Sequence, residues 1–545
     1  MKNIINQIKS NWKSGLVVAI VSIPLSISLA IASGATPLQG LISAIWAMGL
    51  AALFASSQYN VFGPAGALSG ILLAFTLTHG ATYLPIIAII SGLLLLVAYF
   101  SKSIRYITLI PAAGLQGFLF AVGLTILVSQ IPGGLGISIP THEKIYLNII
   151  EIFNNLSSIN RISFGVCLSG LGFLFFAKKK RPKVPGAIIL SLLGIGIGFG
   201  VHQGWFPNIA LLSNKYPNLS FGLRDFSYIQ NTKALLSNTN AITDIVKISA
   251  VIAIVTILET IISGKIGEKM TKVGFNKDKE IFGNAIANIG SGLMGGIPAT
   301  AVLVRTALNI KSGATSKYSQ GLAALTALVI SALLFNNVFT LLPMSIIAAI
   351  LIFIAIGIMD FSILKKFYTF EKTSFYLIII TIVCSIVFDT ITGILVGTSL
   401  TLLIFIARTT YTEPRVTIFR NKQFFTKTDL TKYITQQQSG DIIIMKLAGE
   451  LNYLNIDYQF TEMKKIVSGS VMIFSLDQLS DIDIDGLEYF EDIVHHLEGK
   501  KVTMYITGWN KGIKEMCFRV PSLKKLNDNG LIYDSKSELL QHLGI

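Results

Sequence analysis

Two ionisable side chains lie inside long apolar runs of this sequence, where a charge is costly and needs a physical reason. Glu259 belongs to the run from residue 253 to 260, and Arg305 follows Val302-Leu303-Val304. A carboxyl group in such a place can take up and release a proton, and a guanidinium group attracts an anion. The pair therefore indicates an ion-coupled anion site. Structural roles stay open: Arg305 could extend to the end of a short helix, and Glu259 could pair with Arg305 or Lys265.

Gly and Pro interrupt the apolar sequence at two places that could hold such an anion. The first segment reads Phe-Gly-Pro-Ala-Gly-Ala-Leu-Ser from residue 62 to 69, and the second reads Gly-Gly-Ile-Pro-Ala-Thr-Ala from 295 to 301. A helix that begins in mid-membrane presents unpaired N–H groups and the positive end of its dipole, which suits an anion. A single break is often a tolerated kink, but two at matching places favour a binding site.

The elements that must position these residues are membrane-spanning helices. The 545-residue chain is 52% hydrophobic and 13% charged, with a mean hydropathy of +0.65, whereas soluble domains carry about 25% charged residues. Fourteen apolar runs are candidate spans. They begin near Gly15, Pro37, Ala65, Thr82, Ile107, Ser163, Gly186, Thr243, Ile281, Ala299, Tyr318, Val338, Ser374 and Ile391. A polar stretch from about residue 205 to 241 divides the transport domain, 1–408, into halves of about 15–204 and 243–408.

Seven spans per half give the two halves opposite orientations, which predicts a 7+7 inverted repeat with its site near the membrane midplane. The breaks fit this repeat, because Pro64 lies 49 residues after Gly15 (64 − 15) and Pro298 lies 55 after Thr243 (298 − 243). Lys and Arg concentrate in loops that follow even-numbered spans, so the positive-inside rule places both termini in the cytoplasm. The small loops suit a bacterial inner membrane.

Composition and motifs also bear on other classes of function. The formal charge of +15 comes mostly from short loops between apolar runs, so nucleic acid is not an expected partner. The three cysteines, Cys167, Cys384 and Cys517, have neither disulfide nor metal-ligand spacing. Because the sequence has no phosphate-binding glycine loop and no nucleophile elbow, we expect no enzyme activity, no cofactor and no metal.

The character of the sequence changes after residue 408. Residues 409–438 are polar and are predicted to be a linker, and residues 439–545 are predicted to form a small cytoplasmic α/β domain. Runs that start at Ile442 and Val471 predict buried strands. Apolar residues at helical spacing from Leu487 to Leu497 predict a helix, and another strand is expected near Val502.

These patterns resemble the sulfate permease (SulP) family of anion transporters over nearly the whole chain. The residues that carry the resemblance are Trp12 to Ala19 with Pro24, Gly63-Pro64 to Ser69, Pro111 with Gly117-Phe118, Glu280 to Asn288, Gly296-Ile297-Pro298, Arg305 to Asn309, and Gly313. The resemblance implies a core domain of spans 1–4 and 8–11 that moves against a gate domain of spans 5–7 and 12–14. It also implies a homodimer.

The same resemblance implies that the anion lies between two half-helix N-termini. The implied lining residues are Ala65, Ala67, Thr300, Ala301, Val302 and Leu303, with Arg305 beside them. Sodium-coupled bicarbonate members have an Asp at the position of Glu259 and a Thr at that of Ser263, so these two residues are the implied coupling-ion site. Glu at 259 favours a proton over sodium. The segment from Ala301 to Leu303 is bulkier than in the bicarbonate members, which disfavours both sodium and bicarbonate.

The C-terminal domain resembles the STAS domain that usually follows the SulP bundle. The local match is Asp481 to Leu487, in the place of an Asp-Ser-Ser-Gly turn. Ile484 and Asp485 stand at the serine positions, so a phosphoserine switch is not expected there. A contact with a cytoplasmic protein or with a second copy is the remaining expectation for this domain.

The function expected from the sequence is secondary active transport of a small inorganic or carboxylate anion by alternating access, as proton symport in contact with membrane lipid. Sulfate is favoured, and bicarbonate and dicarboxylates are alternatives. A membrane-anchored scaffold or sensor that acts through the STAS-like domain is a second hypothesis. A nucleobase transporter with the same inverted repeat is a third, which the STAS-like tail disfavours.

Overall fold

A computed structural model of the chain describes residues 2–107, 112–142, 144–180, 186–205, 209–217, 220–229, 239–388, 390–410, 415–420, 423–427, 440–452, 456, 466, 468–508 and 511–545. The chain divides into two compact units, Met1–Leu402 and Leu403–Ile545. The first unit is almost entirely helical, and the second contains a six-stranded sheet. This agrees with the predicted membrane bundle followed by an α/β domain.

The first half of the helical unit begins with a long apolar helix that contains Pro24. Its helices are α1 (Lys2–Ala32), α2 (Pro37–Phe54), α3 (Gly66–His79), α4 (Leu84–Phe100), α5 (Ile104–Ile107), α6 (Ala112–Leu135), α7 (Ile145–Asn154), α8 (Arg161–Lys180), α9 (Gly186–His202) and α10 (Leu212–Lys215). Helix α2 shows how the sequence sets a boundary. Thr36 caps it reciprocally with Gln39, and Pro37 occupies the first turn, where its missing N–H costs nothing.

The second half contains eight described helices: α11 (Thr239–Thr271), α12 (Lys277–Leu293), α13 (Leu303–Lys311), α14 (Tyr318–Leu334), α15 (Met344–Ile358), α16 (Phe361–Phe370), α17 (Lys372–Val387) and α18 (Thr390–Thr410). Each half also has short 3₁₀ turns, at Ala81–Tyr83, Leu156–Ser158 and Phe339–Leu341. Asp360 caps α16 by accepting hydrogen bonds from the backbone N–H groups of residues 362 and 363. It therefore lies at a helix end.

Each of the fourteen predicted apolar runs contains a helix or leads into one. Within the described residues, seven helical stretches are long and apolar enough to cross a bilayer by length and composition. Six more apolar helices are shorter, among them α3 and α9. The exact number of fourteen spans therefore stays a prediction.

The helices pack mainly within two groups. The core group comprises α1–α4 and α11–α14, in which α4 lies along α12, α1 along α14, and α2 against both α12 and α14. The gate group comprises α6, α8, α9, α15, α17 and α18, in which α6 lies along α15 and α17 and approaches α18 at Gly114. The main contact between the groups joins α3 to α6. This grouping matches the expected core and gate domains.

The second unit is built on a sheet whose strand order is β4-β3-β5-β6-β7-β8. These strands are β3 (Arg415–Arg420), β4 (Gln423–Lys427), β5 (Ile442–Leu451), β6 (Val471–Ile482), β7 (Thr503–Thr507) and β8 (Ile532–Tyr533). Strands β5 to β8 run parallel, and the β3–β4 hairpin is antiparallel. Helices α19 (Ile484–Gly499), α20 (Lys511–Cys517), α21 (Pro521–Asp528) and α22 (Lys536–His542) complete the unit. Because apolar residues are buried on both faces of the sheet, its central strands are continuously apolar.

The β3–β4 hairpin lies within the segment 409–438 that the composition assigned to a linker, so the prediction is wrong for these two strands. Residues 411–414, 421–422 and 428–438 of that segment lie outside the described residues. Val416 and Ile418 point into the core of the domain, and β3 pairs along β5. Arg420 forms an ion pair with the buried Asp441. A hairpin at a sheet edge buries alternate residues only, so its sequence is polar overall and resembles a linker.

Candidate functional site

Two short strands meet at the two Gly/Pro breaks. Strand β1 (Phe62–Gly63) pairs antiparallel with β2 (Thr300–Ala301), with Phe62 opposite Ala301 and Gly63 opposite Thr300. The backbone N–H of Val302 extends this ladder by donating to the carbonyl of Val61 over 2.9 Å. Strand β1 leads into α3 and β2 leads into α13, so the N-termini of two half-helices lie on the two sides of one strand pair.

Neither half-helix is capped by a side chain. Ala65 and Val302 hold the N-cap positions with extended backbone conformations, and neither side chain can accept a hydrogen bond. The first N–H groups of a helix normally receive such a cap from Ser, Thr, Asp or Asn. Both helix ends therefore present N–H groups and positive dipole ends toward the strand pair, which is an arrangement that attracts an anion.

Arg305 lies in the first turn of α13 and is 1% exposed. Its Nη2 donates to the Ser26 hydroxyl over 3.0 Å and to the Pro64 carbonyl over 3.3 Å. Among the described residues its Nε and Nη1 have no hydrogen-bond partner, and no carboxylate lies within ion-pair distance of it. A buried guanidinium without a counterion is costly, so this position carries a positive charge that a bound anion would stabilise. Because its side chain is buried and bonds to Ser26 and Pro64, Arg305 does not extend to an exposed end of the helix.

Gly63 makes room for this guanidinium. A Cβ at position 63 would collide with Nη1 of Arg305. The backbone of β1 therefore lies directly against the charged group, and only a residue without a side chain allows that approach. Gly63 and Arg305, which are 242 positions apart (305 − 63), form one structural unit.

Polar side chains of α12 and α11 hold the second break in place. Asn288 donates to the Ala299 carbonyl over 2.8 Å, and the Ala299 N–H donates back to its side chain over 2.9 Å. The Thr300 hydroxyl lies 3.0 Å from that of Thr260, which in turn accepts from Asn284 over 2.7 Å. These bonds replace the helical hydrogen bonds that the break removes, as buried backbone requires.

Glu259 and Ser263 lie one turn apart on α11 and differ in their surroundings. Glu259 is half-buried, and its Oε2 has no hydrogen-bond partner in the part of the chain that the structure describes. Within the described residues no ion pair joins it to Arg305 or Lys265, so those structural roles are not observed. Ser263 is fully buried, and its hydroxyl bonds to Asn60 over 3.1 Å and to Thr306 over 2.9 Å.

The structure places the other expected lining residues around the strand pair. Ala65, Ala67 and Ala301 are buried there. The Thr300 hydroxyl is directed toward α11, so this residue can offer only its backbone to an anion. Leu303 is 40% exposed, and Val302 is half-buried. Ala65 and Ala67 thus lie at the start of α3, and the bulkier Val302 and Leu303 lie at the start of α13.

The sequence did not single out Glu280 as a site residue, although it lies at the start of one of the segments that carry the family resemblance. It is completely buried in α12 and accepts hydrogen bonds from the segment that precedes β1. Glu280 follows Asp278 by two positions, so in the sequence both look like ordinary acidic residues of a helix N-terminus. Only the burial and the long-range bonds distinguish Glu280 from its neighbours.

Comparisons with known proteins agree with this architecture. Residues 8–381 match the sulfate permease family, and residues 433–538 match the STAS domain. "Putative sulfate transporter YvdB" of Bacillus subtilis is 30% identical over 400 residues, which are 72% of this chain and 73% of that protein. The bicarbonate transporter BicA of Picosynechococcus is 21% identical over 514 residues, covering 92% and 88%. The solved structure of SLC26A9 superposes with a TM-score of 0.82 at 14% identity, over 99% of this chain and 90% of that one.

The family match, together with the apolar helices and the STAS domain that follows them in sequence, places the chain in a class of integral membrane proteins that transport anions. The family pattern spans more than half of the sequence, because it covers 374 residues (381 − 8 + 1) of 545. The chain therefore belongs to the sulfate permease family. Its named relatives are transporters of sulfate or bicarbonate.

Proposed function

We propose that this protein is a secondary active transporter that carries sulfate across a bacterial inner membrane together with a proton. The observation that carries the proposal is the buried guanidinium of Arg305, whose Nε and Nη1 have no partner within the described residues. It lies beside the paired strands from which both half-helices begin. A scaffold or sensor has no need to keep an uncompensated charge at this place.

The charges at the site support a dianion as substrate. Each helix N-terminus contributes roughly +0.5 of an elementary charge, so two termini and Arg305 together present roughly +2. Sulfate carries two negative charges and bicarbonate one. Dicarboxylates also carry two negative charges but are longer than sulfate. The charge of the site suits them as well, so they remain the alternative substrate. Ala65, Ala67, Ala301, Val302 and Leu303 would line the site, with the backbone of Thr300.

Glu259 is the proposed coupling residue. Its Oε2 has no partner within the described residues, and Ser263 one turn away connects the same helix to α13, which carries Arg305. A carboxyl group that takes up a proton becomes neutral, which lowers the cost of moving it through a low-dielectric region. Protonation of Glu259 and binding of the anion at Arg305 would thus prepare one helix group for movement.

Transport would proceed as the core group, which carries Glu259 and Arg305, moves against the gate group between outward and inward states. The contact between the groups is made by α1 and α3 against α6, α9 and α15, so a movement of one group against the other would change the packing of these helices. By analogy with the family, two copies would form a dimer in contact with lipid, with both termini in the cytoplasm. The STAS domain, residues 439–545, would then be available to a second copy or a cytoplasmic protein.

The proposal is tested by uptake of labelled sulfate into proteoliposomes, with and without an inward proton gradient. We expect gradient-stimulated uptake in the unmodified protein and in Glu268→Gln, an exposed acidic position on the same helix that serves as the control. Glu259→Gln should lose the stimulation, because the amide of Gln does not take up or release a proton in the pH range of the assay. Stimulation that persists in Glu259→Gln would show that the coupling assignment is wrong.

The same vesicles distinguish the substrates. No sulfate uptake under any gradient would exclude sulfate, and bicarbonate and dicarboxylates would then be measured with proton and sodium gradients. Failure of all these anions would overturn the transport proposal and favour a scaffold or sensor that acts through the STAS domain.

A further inference from the structure

Glu280 on α12 is a fully buried carboxyl group that is surrounded by hydrogen-bond donors. Its Oε2 accepts from the backbone N–H groups of Ser56 and Ser57 over 2.8 and 2.6 Å, and its Oε1 accepts from Nδ2 of Asn60 over 2.7 Å. The Ser56 hydroxyl lies 3.1 Å from Oε2 and also donates to the Asn276 carbonyl. No described Lys, Arg or His lies within ion-pair distance of Glu280.

These donors belong to the segment that leads directly into the anion site. Residues 55–61 follow the end of α2 and continue into β1, which lies against the guanidinium of Arg305. The segment has no regular secondary structure of its own over residues 55–57, so its backbone N–H groups need another acceptor. Glu280 supplies that acceptor from a helix 220 or more positions away in sequence (280 − 60).

The bonds continue from Glu280 to the helices that carry the two functional charges. Oδ1 of Asn60 accepts from the Ser263 hydroxyl on α11, and that hydroxyl lies 2.9 Å from the Thr306 hydroxyl on α13. The backbone N–H of Val61 donates to Thr306 over 3.2 Å. One connected chain of bonds therefore links Glu280 and the residue before β1 to the helices of Glu259 and Arg305.

We propose that Glu280 is a positioning residue of the anion site, which holds residues 55–61 and thereby β1 and the pocket for the Arg305 guanidinium. This inference rests on the proposed anion site but concerns how the site is held together. Glu280 acts through hydrogen bonds and not through its charge at the substrate. Whether residues 55–61 stay in place therefore depends on the order of hydrogen-bond donors and acceptors along this chain of bonds.

That order gives an unusual prediction for Glu280→Gln. The new amide oxygen can still accept from Ser56 and Ser57, and its NH₂ group then faces Asn60. A rotation of the Asn60 amide by half a turn lets its oxygen accept from Gln and its nitrogen donate to Ser263. Ser263 still donates to Thr306, so the bonds from Glu280 to Asn60 and from Asn60 to Ser263 are restored with reversed direction and the others are kept. We expect this variant to keep the segment in place.

Asn60→Asp should fail for the opposite reason. Its carboxylate would face that of Glu280 at hydrogen-bond distance, and two like charges at such a distance repel each other. Combining it with Glu280→Gln restores a donor opposite an acceptor, because the Gln amide donates to the new Asp, which still accepts from Ser263. A defect in Asn60→Asp that the second substitution rescues would not be expected if either residue only filled space.

The test is hydrogen–deuterium exchange of the protein in lipid nanodiscs, read on peptides that cover residues 55–64, together with anion uptake. We expect near-normal protection in Glu280→Gln and in the double variant. Asn60→Asp and Glu280→Leu should lose protection there, with uptake reduced by at least about tenfold. Peptides from α15 in the gate group should stay unchanged in every variant and serve as the control.

The results separate this inference from the transport proposal. Normal protection of residues 55–64 in Asn60→Asp, or no recovery in the double variant, would overturn the positioning role whatever the transport result. If the unmodified protein transported none of the anions, the transport proposal would fail, and the exchange measurement would still decide whether Glu280 holds the segment. Should Glu280→Leu fail to fold, the other three variants carry the test.

Discussion

The close approach of Gly63 to Arg305 makes Gly63→Ala a sensitive probe of the anion site. The added methyl group would collide with Nη1 of Arg305, and both residues are buried. The guanidinium can retreat only by weakening its bonds to Ser26 and to the Pro64 carbonyl. We therefore expect the substitution to displace Arg305 or to strain β1.

The free-energy cost of Gly63→Ala is set by whichever of two structural responses costs less. Inserting a methyl group into a packed interior costs about 1–3 kcal/mol, and giving up a hydrogen bond from a charged donor costs roughly 1.5–3 kcal/mol for each bond. The response should therefore cost about 1–3 kcal/mol. If that cost falls on anion binding, the KM for sulfate rises about 5–150-fold, because 1.4 kcal/mol corresponds to a factor of ten.

The assay is the concentration dependence of sulfate uptake in proteoliposomes, together with the thermal unfolding temperature. Gly49→Ala in α2 is the matched control, because its Cβ would meet Ala324 at an ordinary distance of 3.8 Å. That variant should transport normally. If Gly63→Ala also kept both the normal KM and the normal unfolding temperature, the placement of Arg305 against β1 would be refuted.

Two further predictions concern the second break and the STAS domain. Thr300→Val should lower stability by about 1 kcal/mol, because it removes the hydroxyl bond to Thr260 but keeps the shape; an unchanged unfolding temperature would contradict this. Burial raises the pKa of the Cys517 thiol to about 12, above its ordinary value of 9.0. Its thiolate is therefore scarce at pH 8, and iodoacetamide should label Cys517 in the unfolded protein but not in the folded one. Rapid labelling of the folded protein, read by mass spectrometry, would contradict this.

The sequence was sufficient to predict the features that depend on local composition. The Gly/Pro breaks predicted two half-helices, because a helix cannot continue through Gly295-Gly296-Ile297-Pro298 without losing hydrogen bonds. Arg305 stood out because a charge in an apolar run is rare. The strands from Ile442 and Val471 were predictable because both faces of a central parallel strand are buried.

The features that the sequence did not predict depend on contacts between distant residues. The pairing of β1 with β2 joins segments more than 230 positions apart, and two-residue strands have no periodicity to detect. In the sequence, Glu280 looks like one of the acidic residues that are common in the first turn of a helix. Only its hydrogen bonds with Ser56, Ser57 and Asn60 reveal its role. The hairpin that begins at Arg415 was mistaken for a linker because half of an edge strand is polar.

The central claim is that the charge of Arg305 binds the anion, and sulfate binding measured by calorimetry on the purified protein tests it most directly. Arg305→Met removes the charge but keeps much of the volume, and replacing a buried charge by an apolar side chain is compatible with a folded protein. At an effective dielectric constant of 20, one charge pair at about 4 Å contributes about 4 kcal/mol. We expect sulfate to bind the unmodified protein and to bind the variant at least about 100-fold more weakly. Equal affinity in both, with the variant still folded, would contradict it.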